Sequence, residues 1–329
     1  RRQRQMCIRD RDESISKSKK SYVIAAFIVG LPLAVMVAFL LDLLDRSIKT
    51  AKDAEGFFGY PLVGLIPKYR VERSRDRHVD ATFPAPEWLL TSGQQPMTTD
   101  AYQMLQANLR FLSSDTRLKT IVVTSSVIGE GKSSVSAHLA LTISQAGHRV
   151  LLIDSDMRAS AQHHIWNVVN GIGFSHVLVG EGELTEAMQV VAPNLTLIPA
   201  GVRPPSPLAL IDSQRMVNLL QELRTQFDYI LIDTPPLLGG ADAATLGNLV
   251  DGVLMVVRTR LVDSASGSAA KSMLERSGAN ILGVVANGVD IRNEHDDYVS
   301  QFKMGGQYSY SPRKESKAAK SKSAKPVSQ

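Results

Sequence analysis

The sequence predicts a doubly wound α/β domain, a mainly parallel sheet flanked by helices, and three stretches carry that prediction. The first, Leu118–Ala140, passes from an apolar β-branched run (Ile121, Val122, Val123) through Thr124, Ser125 and Ser126. It then crosses a glycine-bearing loop into a helical pattern with Val135, Leu139 and Ile143. The second, Arg149–Arg158, reads R-V-L-L-I-D-S-D-M-R, an apolar strand closed by two carboxylates. The third, Phe227–Pro236, reads F-D-Y-I-L-I-D-T-P-P, a strand of buried type stopped by a proline pair after Asp233. Ligands of open parallel sheets sit at the carboxyl ends of strands, and all three stretches place their polar residues there.

From the amino terminus, residues 1–20 are basic and without periodicity, and read as disordered or not native. Residues 21–46 read as a transmembrane helix, because Tyr22–Leu41 is free of charge and a bilayer core needs about 20 such residues. Pro32 is tolerable there. Residues 47–67 form a juxtamembrane helix and strand, the helix opened by a capping box of Thr50 and Asp53 and closed at Gly59, the strand running Pro61–Pro67. Residues 68–99, with Pro84, Pro86 and Pro96, form a linker. The main domain occupies 100–290. It opens with a helix capped by Asp100 that buries Tyr102, Leu105, Leu109 and Leu112. Irregular chain or short helix follows at 171–192, a strand at 195–198 and a Pro-rich loop at 201–207. Helix 208–226, helix 240–249, strand 251–258, helix 264–277 and strand 281–286 complete it. Residues 291–329 are a disordered basic tail bearing Tyr298, Tyr308 and Tyr310.

Charge narrows the function classes. The chain has 329 residues and a net charge of +5, but the first twenty hold eight Lys or Arg against three acids and the last nineteen hold six against one. The ends are therefore each +5 and residues 21–310 are −5. An acidic core disfavours nucleic acid, and basic ends beside an apolar segment suit an anionic membrane surface. The single cysteine, Cys7, excludes an internal disulfide.

Phosphate chemistry explains the first stretch. Gly129 and Gly131 let backbone amides turn around phosphate oxygens, Lys132 brings charge to the β and γ phosphates, and the Ser133 hydroxyl suits Mg²⁺. Ser126 stands where the first glycine of the full phosphate-loop pattern would be. The expected nucleotide-binding set is Ser126, Gly129, Glu130, Gly131, Lys132, Ser133 and Ser134 with Asp233, and the ligands are ATP and Mg²⁺. Asp154 and Asp156, two apart on an extended chain, face one side. Asp233 has the setting of a Walker B carboxylate, so Ser133, Asp156 and Asp233 are the expected metal ligands. The fold class is thus a P-loop NTPase preceded by one transmembrane helix.

These motifs resemble the cytoplasmic ATPase domain of bacterial tyrosine autokinases of the polysaccharide co-polymerase group, which regulate capsule and exopolysaccharide export. D-R-S-I-K-T after an apolar helix, P-L-V-G-L-I-P, P-A-G-V-R-P-P-S-P, D-T-P-P, D-G-V-L-M-V-V-R and L-G-V-V-A-N stand in the family's order across residues 22–310. The resemblance implies a protein-tyrosine kinase at the bacterial inner membrane, its catalytic domain cytoplasmic. Seven Lys or Arg precede the span and three follow within twenty residues, which alone would reverse that orientation. The need for cytoplasmic Mg-ATP overrules it. Lys132, Asp154, Asp156 and Arg158 are the implied catalytic residues: Lys132 stabilises the transferring phosphoryl, Asp154 accepts the tyrosine proton, and Arg158 orients the acids or touches phosphate. Tyr298, Tyr308 and Tyr310 are the implied phosphoacceptors. The implied partners are ATP, the inner membrane, further copies of the chain, and the polysaccharide export and polymerisation machinery. The family's arginines for subunit contact are replaced by Gln103 and Gln106 beside Asp100, which disfavours ring assembly. An alternative of another class is a membrane-tethered ATP-binding switch without tyrosine kinase activity. A soluble partitioning ATPase is disfavoured, because Val127 stands where such proteins carry a second lysine.

Overall fold

The structure, a computed structural model, describes residues 19–44, 47–68, 96–112 and 118–290. Eight strands form one sheet: β1 (Leu62–Pro67), β2 (Thr120–Ser125), β3 (Val150–Asp154), β4 (Gln189–Ala192), β5 (Leu195–Ile198), β6 (Tyr229–Asp233), β7 (Gly252–Arg258) and β8 (Ile281–Val289). Their spatial order is β1-β8-β7-β2-β6-β3-β5-β4, parallel throughout except for β4 against β5. The three strands that carry the predicted motifs are therefore neighbours, β2-β6-β3, and Asp154 lies in register with Asp233.

Both faces of this sheet are covered, which is why its central strands are continuous apolar runs. Ile121, Val123, Leu152, Leu231 and Val256 pack on one side, and Val122, Leu151, Ile153, Ile232 and Val257 on the other. The longer helices are α1 (Lys19–Leu44), α2 (Ala51–Phe58), α3 (Pro96–Leu112), α4 (Lys132–Gln145), α5 (Gln214–Gln226), α6 (Asp242–Gly247) and α7 (Ser264–Ser277).

Residues 47–67 are part of this domain, where the sequence placed a separate juxtamembrane unit. Helix α2 has the expected capping box: Asp53 N donates to Thr50 Oγ1 at 3.1 Å and Thr50 N to Asp53 Oδ2 at 3.0 Å. It ends at Gly59, whose left-handed φ of 73° a residue with a Cβ resists. Strand β1 then adds to the β8 edge, and Phe58, Val63 and Ile66 are buried. The boundary expected at residue 100 therefore divides the sheet. Helix α3 starts at Pro96 and not at an Asp100 cap, because proline suits the first helical turn, where no N–H partner is needed. Its core face is Tyr102, Leu105 and Leu109, whereas Leu112 is exposed. Gln103 is exposed and Gln106 half-buried.

Three further corrections concern boundaries. Helix 208–226 is two helices, 207–211 and α5, because Ser213 accepts from Met216 N at 3.2 Å and caps a new start. Residues 171–192 include the edge strand β4. Strand β8 continues to Val289, past the expected end at 286.

The segment expected to span a membrane is helical over Lys19–Leu44, with Ile24, Phe27, Ile28, Leu33 and Phe39 exposed. Among the described residues no helix is long and apolar enough to cross a membrane. The basic stretch 1–18, most of the linker at 69–95, and the tail at 291–329 with Tyr298, Tyr308 and Tyr310 lie outside the described residues.

The placement of 47–67 makes a prediction. Each large apolar side chain fully buried is worth roughly 1.5–3 kcal/mol, so losing Phe58 and Ile66 removes a large share of a typical 5–15 kcal/mol domain stability. A fragment of residues 96–290 should unfold at markedly lower temperature or denaturant than 47–290. Coincident unfolding curves would show that β1 and α2 are dispensable.

Candidate active site

The loop between β2 and α4 is shaped by its glycines and braced from inside by one acid. Gly129 and Gly131 have φ of 91° and 86°, and a Cβ at Gly131 would run into the Asn287 amide. Glu130, expected to meet nucleotide, has its side chain buried under the loop. Its Oε2 accepts from Val127 N at 2.7 Å and its Oε1 from Arg258 N at 3.2 Å, while Asn287 Nδ2 donates to its carbonyl at 2.7 Å. Arg258 Nη1 donates to Gly129 O at 3.1 Å. Glu130 thus ties the loop to the ends of β7 and β8, and what it offers a phosphate is its backbone N–H. Ser126 Oγ is buried with no hydrogen-bond partner. Ser134 lies in the first turn of α4, and its carbonyl accepts from His138 Nδ1 at 2.7 Å.

Lys132 meets acids from two neighbouring strand ends. Its Nζ lies 3.0 Å from Asp156 Oδ2 and 3.8 Å from Asp233 Oδ1, and donates to Ser133 Oγ at 3.2 Å. Burial pulls its pKa down, but the charges of Asp233 and Asp156 outweigh this and hold it above the ordinary value. Burial pushes Asp233 up against the opposing pull of Lys132. Asp233 Oδ2 accepts from Gln162 Nε2 at 2.8 Å, and its Oδ1 is buried without a hydrogen bond. An orphaned carboxylate oxygen beside a serine hydroxyl and a lysine fits Mg²⁺, which is held through one or two carboxylates plus substrate phosphates.

The two acids after β3 do not act as a pair. The strand ends at Asp154, so Asp156 lies in the following turn and not two places along an extended chain. Asp154 is fully buried. Its Oδ1 accepts from Asp156 N at 3.1 Å, and its Oδ2 from Ala161 N at 3.1 Å and Gln162 N at 3.0 Å. Burial, then the Asp233 charge, raises its pKa. That geometry serves to hold the 155–162 loop, and the expected role as proton acceptor is not what its engaged oxygens serve. Asp156 faces Lys132 and accepts from Ala159 N at 2.9 Å.

Arg158 reaches neither acid: its Nη2 pairs with Asp242 Oδ2 at 3.1 Å, at the buried start of α6. Gln162 was missed by sequence reasoning, since a lone glutamine past a strand end has no motif; its proximity to an acidic strand end was the one available sign.

Comparison with known proteins agrees with this geometry. A family described as an AAA domain matches residues 118–267. The tyrosine-protein kinase YwqD of Bacillus subtilis is 32% identical over 203 residues, 61% of this chain and 85% of that protein. The chain belongs to the bacterial tyrosine-protein kinase family. Another member, the tyrosine-protein kinase wzc of Salmonella typhi, is 30% identical over 310 residues, 92% of this chain but 42% of its own length. The chain therefore spans under half of that larger kinase. The solved kinase domain of Escherichia coli ETK superposes with a TM-score of 0.63 at 30% identity, covering 72% of this chain and 93% of that one. The BceF tyrosine kinase domain gives 0.65 at 28% identity, with 74% and 100% covered.

Glu130 supplies a pH test. Burial, against weaker pull from backbone N–H groups, raises its carboxyl from 4.5 to about 7. The folded state thus holds this proton more tightly, and the stability it brings is complete below about pH 4.5 and lost as pH rises through about 7. Urea unfolding of wild type and Glu130→Gln should show wild type losing ground to the variant across that window and no further above it. A difference constant with pH would contradict this placement.

Proposed function

We propose that this chain is a membrane-anchored, ATP- and Mg²⁺-dependent protein-tyrosine autokinase that regulates exopolysaccharide or capsular polysaccharide synthesis, chain length and export. The observation that carries the proposal is the convergence of Lys132, Asp156 and Asp233 at the ends of three adjacent strands, at the mouth of a glycine-turned loop. The anchor is the uncharged segment Tyr22–Leu41, set on an exposed apolar helix and followed at once by the domain. On this reading the chain sits at the bacterial inner membrane with its catalytic domain in the cytoplasm. Its other partners are further copies of itself and the polysaccharide polymerisation and export machinery, with no nucleic acid.

Phosphoryl transfer asks chiefly for positioning and charge compensation. The amides of residues 129–133 would cradle the phosphates, and Lys132 would leave Asp156 to meet the γ-phosphoryl oxygens. Ser133 and Asp233, with Asp156, would hold Mg²⁺, which neutralises charge shared between β and γ phosphates. A tyrosine oxygen bonds to the γ-phosphorus while the bond to the β,γ-bridging oxygen breaks and ADP leaves. The phenol proton passes to Asp156, the acid beside Lys132. Asp154 and Arg158 support this from behind, one holding the loop and the other anchoring it on Asp242. The acceptors are Tyr298, Tyr308 and Tyr310. The close engagement of Asp154 by backbone amides favours one second reading, an ATP-binding switch in the same machinery that transfers no phosphoryl group.

Incubating the chain with Mg-ATP and mapping phosphotyrosine by mass spectrometry separates the two. Phosphate at Tyr308 or Tyr310, less at Tyr298, is expected from wild type, each adding roughly −1.5 to −2 charge to a basic tail. Lys132→Met should show none and should lose nucleotide binding. ATP bound with tyrosines unmodified at high protein concentration would leave the switch standing.

A further inference from the structure

Gln162 is fully buried at the junction of all three motifs. Its Nε2 lies 2.8 Å from Asp233 Oδ2, 3.0 Å from Ser133 O and 3.0 Å from Ser136 Oγ. Its Oε1 accepts from Trp166 Nε1 at 3.2 Å. An indole nitrogen only donates, so this contact fixes which end of the amide is oxygen and leaves the NH₂ group facing the acid. The hydrogens divide without conflict. One goes to Asp233, the other to the Ser133–Ser136 side, where the Ser136 hydroxyl itself donates to Ser133 O at 3.1 Å. The backbone of Gln162 is fixed as well, since its N–H donates to Asp154 Oδ2 at 3.0 Å.

One side chain therefore sets the distance between the first turn of α4, the end of β6 and the loop after β3. It also sets how Asp233 is turned. With Oδ2 held by the amide, the oxygen left over is Oδ1, which is buried, has no hydrogen bond and lies 3.8 Å from Lys132 Nζ. A methionine would fill the same volume but could not donate, and an asparagine would stop one methylene short of the acid.

We propose that Gln162 is a positioning residue of the metal–nucleotide site: it clamps one oxygen of Asp233 so that the other is presented to Mg²⁺ or its water, and holds Ser133 at a fixed distance from it. This rests on the reading of the site as ATP- and Mg²⁺-dependent. Partners that orient a metal's carboxylate ligands typically govern about 10- to 100-fold of metal affinity.

The test is nucleotide titration on the full chain in detergent, ATP alone and ATP with Mg²⁺, for wild type, Gln162→Met and Gln162→Asn. In both variants the gain in ATP affinity from Mg²⁺ should shrink by about 10-fold or more, while metal-free ATP affinity stays within about twofold of wild type. In an Asp233→Ala background Gln162→Met should add nothing, because the clamp then has no object. A general structural role would weaken metal-free and metal-bound nucleotide alike, and that result overturns the proposal. So does an undiminished Mg²⁺ gain in either variant. Should Gln162→Met fail to fold, Gln162→Asn, which keeps a polar amide, decides by the same criteria. A wild type whose ATP binding ignores Mg²⁺ overturns the reading of the site as well; a wild type that responds beside variants that respond equally overturns this inference alone.

Discussion

A lysine ammonium almost out of contact with water, compensated by carboxylates from separate strand ends, is the constraint on which the rest of this structure depends. Lys132 sits between Asp156 and Asp233, with side-chain exposures of 12%, 4% and 1%, and Asp154 lies in register with Asp233. Removing one partner from such a cluster leaves a buried charge uncompensated, a change that costs about 3–5 kcal/mol in buried pairs elsewhere. The sheet order meets the same requirement. Only β2, β6 and β3 as neighbours bring the lysine of one motif to the acids of the other two.

Around that cluster the loop is held by groups that do not meet phosphate. Glu130 ties it to β7, and Asn287 ties it to β8, the strand on which β1 pairs in register Ile66↔Asn287. Strand β1, within residues 47–67, thus pairs with the strand that braces the nucleotide loop. Ile48 N donates to Val262 O and Arg260 N to Ile48 O at 2.9 and 2.7 Å, which seats the same segment against the end of β7. Residues 47–67 and the rest of the domain share one hydrogen-bonded sheet.

Much of this was legible from local pattern. The strand–loop–helix of Leu118–Ala140, the aspartates closing β3 and β6, the Thr50 capping box and the Gly59 stop all rest on interactions within a few residues, and each stands as expected. What local pattern does not encode is partner choice across the fold. Arg158 carries no sign that its partner is Asp242, 84 positions on. Asp154 and Asp156 look equivalent until the strand ends between them, and Glu130 looks like a phosphate-loop residue until its side chain is seen to turn under the loop. The proline-bearing linker hid that β1 belongs to the sheet, because parallel pairing of β1 with β8 closes over more than two hundred residues and leaves no short-range trace.

The measurement that tests this account most directly is the nucleotide-free stability of Lys132→Met by denaturant unfolding. If the buried ammonium compensates the acids, the variant should lose about 3–5 kcal/mol relative to wild type in the absence of any ligand, and Asp156→Asn in the same background should restore part of it. A Lys132→Met protein as stable as wild type without nucleotide would contradict the claim that this charge cluster organises the fold.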